Sequence, residues 1–429
     1  MTTRRATPRM ARTTTDAGRA DGTPLPGPAA PVAPARRGVS RRDLLTGGLV
    51  AGWGAAIALG VDSARRPAPT AATPAPEPLN GTVVVPFHGP QQAALTVTPQ
   101  THSIHTALDL RPGTDRAALA RLMRLLTDDA ARLTQGRPAL ADTEPEMAST
   151  PARLTVTFGF GPGFVAAAGA DVPAWLAPLP AFSIDRLEER WSGGDLLLEV
   201  ACDDPTVLAH AHRMLRKDAR AFTTVRWVQQ GFRTAHGTSA PGTTMRNLFG
   251  QVDGTVNPAP GSAEQARAVL RSDGWLEGGT TLVVRRIAMN LDTWDEVDRP
   301  GRGASVGRRM SDGAPLTGGV EHDDVDLDAL DGTGLPVVNI AAHVRRARAT
   351  TPDEVFYRRA YNYESETDGA GLIFTTYQAD PVRQLVPVQQ RLAEADLLNT
   401  WTTPIGSAVF AIPPGCAPGG YVGETLLEG

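Results

Sequence analysis

Three short segments of this 429-residue chain carry the side chains with the most chemistry to offer. Gly250-Gln-Val-Asp253-Gly254-Thr255-Val-Asn257-Pro258 sets a carboxylate in a turn whose glycines permit close backbone approach. Asn339-Ile-Ala-Ala-His343-Val-Arg345-Arg346 presents an imidazole followed by two guanidiniums. Arg358-Arg359-Ala-Tyr361-Asn-Tyr363 supplies a second arginine pair, just ahead of Gly371-Leu372-Ile-Phe374-Thr-Thr-Tyr377-Gln378. A positioned carboxylate moves protons, a neutral imidazole ligates a metal, and a guanidinium stabilises developing negative charge. Each segment also has a plainer reading. Asp-Gly is turn chemistry, a single histidine among eight is more often structural than ligating, and the G-x-x-D-G spacing occurs a second time at Gly18-Arg-Ala-Asp21-Gly22.

Much other chemistry is excluded. The chain has no H-E-x-x-H, no P-loop, no G-x-S-x-G and no C-x-x-C-H. Gly159-Phe-Gly161-Pro162-Gly163 lacks the third glycine of a dinucleotide loop, and Pro162 removes a backbone donor. Two cysteines, Cys202 and Cys416, are too few for a disulfide scaffold or a four-cysteine metal site. They would pair after export into an oxidising compartment or stay as two small core thiols, and the sequence favours neither.

The elements that must position these residues mix strand and helix in both halves of the chain. Strands are expected at 81–87, 95–98, 153–160, 194–201, 224–228, 280–289, 371–378 and 407–412. Helices are expected at 115–133, where Leu119, Leu122, Leu125 and Leu126 share a face, and at 205–222 and 381–398. Gly/Pro/Asp-rich loops fill about 296–335. An α+β architecture of two similarly built halves fits this order better than a doubly wound sheet, although no internal repeat shows in the residues themselves.

The N-terminus differs in kind. Residues 1–39 are rich in Thr, Ala, Pro and Arg and cannot bury enough surface to fold. Ser40-Arg41-Arg42-Asp43-Leu44-Leu45 then opens an apolar stretch of about 17 residues, short of the roughly 20 that a spanning helix needs. Paired arginines ahead of a short, weakly apolar run resemble a twin-arginine export signal, with a membrane anchor as the alternative. Residues 1–60 are thus read as basic arm and signal, and 61–79 as a Pro/Ala linker. The Tat export machinery is the implied partner, and a location outside the cytoplasm, extracellular or at the cell envelope, is the implied destination. Residues 1–70 carry 11 Arg and 4 Asp, a net +7, which leaves −11 on residues 71–429. So acidic a body disfavours nucleic acid or an anionic membrane surface as partner.

Taken together, the three segments resemble the dye-decolorizing peroxidases, in the order Asp, His, Arg that this family shows. The likeness extends to Val85-Pro-Phe-His-Gly-Pro-Gln-Gln-Ala93, Trp191-Ser-Gly-Gly-Asp-Leu196 and Val306-Gly-Arg308-Arg-Met-Ser-Asp-Gly-Ala-Pro-Leu316, and so to roughly residues 80–425. Gln91-Gln92, the stretch from Asp298, Ala360 and Asn362 depart from the usual family pattern, but none occupies the Asp, His or Arg position. The resemblance implies two ferredoxin-like α+β domains in a dimeric α/β-barrel-like arrangement, at about 80–240 and 241–429, with haem b held mainly by the second. It implies an enzyme that reduces hydrogen peroxide through a ferryl intermediate and oxidises dyes, phenolics or other small one-electron donors. The exported branch with deferrochelatase-like members is the nearest match. Iron release from haem, or plain haem carriage, is therefore the alternative function, and a homo-oligomer is compatible with either.

Residue by residue, the resemblance makes His343 the axial iron ligand and Asp396 the acid that orients it, with Glu394 as rival. Asp253 becomes the proton shuttle, and Arg358 its distal partner with Arg359 as rival. Gly254, Thr255, Arg345, Leu372 and Phe374 would contact the cofactor. Tyr357, Tyr361, Tyr363, Tyr377 and Trp401 would either relay electrons to bulky donors at the surface or simply pack the core, packing being the commoner role for each.

Overall fold

The computed structural model describes residues 79–429. The twin-arginine stretch and the linker expected before residue 79 lie outside the described residues. Within them, no helix is long and apolar enough to cross a membrane.

Nine strands form a single antiparallel sheet that closes on itself. They are β1 (His102–Leu110), β2 (Thr155–Phe160), β3 (Leu196–Cys202), β4 (Thr223–Phe232), β5 (Thr280–Met289), β6 (Tyr357–Arg358), β7 (Tyr361–Ser365), β8 (Gly369–Gln378) and β9 (Thr402–Ile412). β6 and β7 act as one strand interrupted at Arg359-Ala360, since both pair with β8. The first half orders its strands β2-β3-β1-β4 and the second β9-β5-β8-β7, the same arrangement twice. This is the strand order of a ferredoxin-like unit. The two half-sheets meet at Phe160↔Ala411 and at Phe232↔Asn362, which closes the barrel. The internal similarity invisible in the residues is plain in the topology.

Helices cover the outside. Helix α1 (Arg116–Leu133) starts where Asp115 accepts the Ala118 N–H at 2.8 Å. It buries Leu119, Leu122, Met123 and Leu126 against α2 (Pro205–Ala219) and the outer face of β1–β3. Helix α3 (His343–Ala347) is short, and α4 (Pro381–Ala395) carries Pro387 within it. The expected helix end at Leu398 comes earlier: Asp396 leaves the helical path and caps a separate turn at Leu397–Thr400.

The alternation along the strands sorts residues between two buried faces. Ile104, Leu108, Val156, Phe158, Phe160, Leu196, Leu198 and Val200 lie under the helices. Their neighbours Ser103, His105, Thr157 and Glu199 are buried too, because they line the barrel interior rather than solvent. The strand expected at 81–87 does not form. Gly81 and Val83 accept from the N–H groups of Ala152 and Arg153, but both of those residues sit at positive φ (41° and 54°), a geometry that cannot extend a ladder. Nor do residues 95–98 form a strand; Ala93–Leu95 make a 3₁₀ turn instead. A helix at Arg299–Val306 occupies part of the expected long loop.

Between α1 and α2 two carboxyl groups meet, that of Asp129 buried and that of Asp218 half-buried. Asp129 Oδ1 accepts the Leu140 N–H at 2.7 Å. Asp129 Oδ2 and Asp218 Oδ2 have no partner other than each other's carboxyl group. Burial, then the Asp129 carboxyl beside it, pushes the Asp218 pKa up to about 7.

Candidate active site

Asp253 sits at the end of a hairpin that its own motif builds. Arg246 bridges Val252, the Asn247 N–H donates to the Gln251 carbonyl at 3.1 Å, and the Asp253 N–H donates to the Met245 carbonyl at 2.9 Å. Gly250 (φ +77°) and Gly254 (φ +125°) take left-handed conformations that a Cβ would strain. Asn247 organises the turn: its Oδ1 accepts from Phe249 and Gln251, and its Nδ2 donates to Asp253 Oδ2 at 3.2 Å. The ends of the hairpin are pinned by Glu321, whose Oε1 accepts from the hydroxyls of Thr244 (2.5 Å) and Thr255 (3.1 Å). Glu321 is itself held where Arg308 donates to its carbonyl at 2.7 Å.

The two candidate arginines part company. Adjacent residues of an extended chain point to opposite faces. Arg358 Nη1 lies 3.7 Å from Asp253 Oδ1. Arg359 is sealed inside the barrel, where it donates to the carbonyls of Ala94 and Val97 and to Gln100, and pairs with Glu199 at 3.4 Å. Arg358 is therefore the one that faces the carboxylate.

His343 begins α3, and its Nδ1 lies 2.6 Å from Asp396 Oδ2. Asp396 reaches it because the chain breaks from α4 at that residue. Glu394, the rival, instead accepts from Gln390 at 3.3 Å. Burial works to lower the His343 pKa, but the charge and hydrogen bond of Asp396 outweigh it and leave the pKa raised. About a third of the His343 side chain, 34 %, remains accessible, so the imidazole is not packed into the core on every side. The charges of Asp253, which raises its pKa, and of Arg358, which lowers it, also act on the ring. Leu372 is buried and Phe374 half-buried on β8, in one apolar cluster with Phe249, Met289, Trp294 and Leu398. Arg345 donates through Nη2 to the carbonyls of Leu327 and Val338, while its Nε is buried without a partner.

Sequence reasoning missed Asn247, Asn257 and Glu321. Asn257 stands inside the quoted Asp253 phrase and Asn247 just ahead of it, but only the folded turn shows what their amides meet. Tyr357, Tyr361, Tyr363 and Tyr377 are all buried, so none presents its ring at the surface; Trp401 is half-buried against Trp294. Cys202 and Cys416 are separate thiols: Cys202 lies against the Ala152 carbonyl at 3.3 Å and Cys416 against His88 at 3.6 Å.

Residues 92–233 match the N-terminal model of the Dyp-type peroxidases, and residues 244–417 match the C-terminal one. The chain belongs to the Dyp-type peroxidase family. It is 38 % identical to the dye-decolorizing peroxidase of Thermobifida fusca over 92 % of this chain and 98 % of that one. It is 30 % identical to the deferrochelatase of Escherichia coli K12 over 80 % of this chain and 87 % of that one. Among solved structures, the DyP-type peroxidase from Cellulomonas bogoriensis superposes with a TM-score of 0.79 at 54 % identity, over 82 % of this chain and 100 % of that one. Ferric DtpA from Streptomyces lividans gives a TM-score of 0.78 at 41 % identity over the same shares. The enzyme is a peroxidase with the two ferredoxin-like halves of its family.

Dyp-type peroxidases are haem proteins, and the residues present fit such a group. The Asp396 bond occupies Nδ1 of His343, so Nε2 is the nitrogen through which the ring would hold an iron. The buried, unpartnered Arg345 Nε calls for an acceptor, which a carboxylate on a bound porphyrin would supply. Phe374, half-buried on β8, would offer apolar surface to a flat macrocycle, backed by the buried Leu372.

Proposed function

We propose that the group held is haem b, which His343 would hold through Nε2, with Asp396 as its orienting acid, and Asp253 and Arg358 as the pair that handles peroxide. The observation that carries this reading is the 2.6 Å bond from His343 to Asp396, found in the same chain half as an Asp253–Arg358 pair held 3.7 Å apart. Asp396 fixes the tautomer and makes the free nitrogen a stronger donor. Gly254, Thr255, Arg345, Leu372 and Phe374 would line the cofactor. When bound, the haem supplies the iron that accepts peroxide and stores its two oxidising equivalents.

The chain's own part is proton and charge handling. Asp253 Oδ2 is taken by Asn247, so Oδ1 is the atom that removes a proton from one peroxide oxygen and returns it to the other. Arg358, 3.7 Å away, stabilises negative charge on the departing oxygen. Small phenols or dyes then return the electrons. The Escherichia coli relative named a deferrochelatase supports a second reading, iron release from haem held by the same residues.

The test is an absorption spectrum of the haem-loaded protein before and after one equivalent of peroxide. A Soret band that shifts with peroxide and returns on adding a dye supports the peroxidase assignment of these residues. A band that peroxide leaves unchanged, with free porphyrin released over time, favours the second reading. The paired Arg41-Arg42 supports export by the Tat route, and retention of an Arg41→Lys/Arg42→Lys double variant in the cytoplasm would be its signature. The separate matches of residues 92–233 and 244–417 to the two family models support the division into 80–240 and 241–429.

A further inference from the structure

Two asparagines join the hairpin of Asp253 to the strand of Arg358. Asn362 Nδ2 donates to the Arg246 carbonyl at 3.1 Å. Asn257 does more: its Oδ1 accepts the Arg358 N–H at 2.7 Å, and its Nδ2 donates to the Arg358 carbonyl at 2.9 Å. A side-chain amide offers the same donor and acceptor as a peptide group. Asn257 therefore stands in for a neighbouring strand on the open side of β6, whose other side pairs with β8. It does so from the turn that holds Asp253, closed by its own N–H to the Gly254 carbonyl at 3.0 Å. One side chain thus couples the backbone under the carboxylate to the backbone under the guanidinium.

The spacing so fixed is unusual. At 3.7 Å, Arg358 Nη1 and Asp253 Oδ1 form an ion pair without a hydrogen bond. A closer approach would let Arg358 bind the oxygen needed for proton transfer, and a wider one would weaken the field it exerts there. We propose that Asn257 is a positioning residue for the peroxide reaction, its two-bond clamp on the Arg358 backbone setting the Asp253–Arg358 separation. The inference rests on the roles given above to Asp253 and Arg358.

The test uses the haem-loaded full chain as wild type, Asn257→Ala, Asn257→Asp, Arg358→Leu and the double variants. Two readouts apply: the stopped-flow rate of the first reaction with peroxide, and the affinity of the ferric protein for fluoride, an anion that an adjacent guanidinium stabilises. Asn257→Ala is expected to keep its haem, to lose on the order of tenfold in peroxide rate, and to bind fluoride more weakly, with the KM for a reducing dye unchanged. Asn257→Asp, which keeps the acceptor and loses the donor, falls between. In the Arg358→Leu background neither substitution has a further effect. An equal loss in that background, or wild-type rate and fluoride affinity in Asn257→Ala, overturns the proposal. Should Asn257→Ala fail to hold haem, Asn257→Asp with and without Arg358→Leu decides by the same comparison. A wild-type rate in Arg358→Leu alone overturns the role of Arg358 itself, and the clamp falls with it.

Discussion

Replacing Asp129 with asparagine should stabilise the protein, and only above a definite pH. Asp218 lies half-buried against the Asp129 carboxyl, and burial, then that neighbour, makes its proton harder to lose in the folded state. The folded pKa of Asp218, about 7, stands above the ordinary aspartate value of 3.8. At the acid end both states hold the proton and the pair costs nothing. As pH rises from about 4 the unfolded chain releases its proton while the folded one keeps it, and stability falls until about pH 7, where the folded state releases it too. At about 1.4 kcal/mol per pKa unit the full penalty approaches ~4 kcal/mol, and solvent reaching the partly exposed Asp218 cuts it to about 2 kcal/mol. The new amide would still accept from Leu140 and could donate to Asp218 at any pH. Burial, the larger cause, remains in the variant and only the neighbouring carboxyl is removed, so the expected gain at pH 8 is about 1 kcal/mol, a Tm rise of about 1–2 °C for a folded body of this size, and the gain vanishes near pH 4. Thermal unfolding of wild type and Asp129→Asn between pH 4 and pH 8 measures it. An equal gain at both ends, or a loss at pH 8, would refute the link between the Asp129 carboxyl and Asp218.

Three further outcomes are expected. His343→Ala should purify with little haem and a diminished Soret band, because the axial donor is gone. Asp253→Asn and Arg358→Leu should keep the Soret band but slow the peroxide reaction, by about 10²–10⁴-fold for the carboxylate, as stopped-flow absorption would show. Asp185→Ala should cost about 3–5 kcal/mol in denaturant unfolding, because it strands the guanidinium of Arg285, which is 1 % exposed and bound at 2.5 Å.

Local chemistry made the elements readable. Asp115 and the leucine spacing marked α1, and the β-branched run 280–289 marked β5 at both ends. The positions that misled were those where tertiary contacts decide. Val83 to Phe87 has strand composition, but its hydrogen-bonding neighbours Ala152 and Arg153 turn with positive φ. Thr157 and Glu199 alternate with apolar residues as if facing water, yet face the inside of a closed barrel. No alternation pattern distinguishes those two destinations. At the site, residue type alone leaves Asp253 and His343 with ordinary structural roles, and it is the resemblance of whole segments that points to them, to Asp396 ahead of Glu394 and to Arg358 ahead of Arg359. What the sequence does not show is the physical cause: the break at the end of α4 that brings Asp396 to His343, and the strand face on which Arg359 meets Glu199. Glu321 lies 68 residues beyond Asp253 in a loop, and nothing in its neighbours announces that two threonines converge on it.

The closed barrel also bears on how the chain comes together. Each seam between the halves is a narrow join, Phe160↔Ala411 on one side and Phe232↔Asn362 on the other, and each half alone would expose two unpaired strand edges. Such edges template pairing with any available strand. A chain severed between residues 233 and 244 would therefore yield fragments that aggregate apart and complement one another when mixed, each serving as the other's edge protection. On the ribosome, the first half must wait for β9, the last of the described strands, before its β2 edge is covered, so the barrel stays open until residues 402–412 have been made.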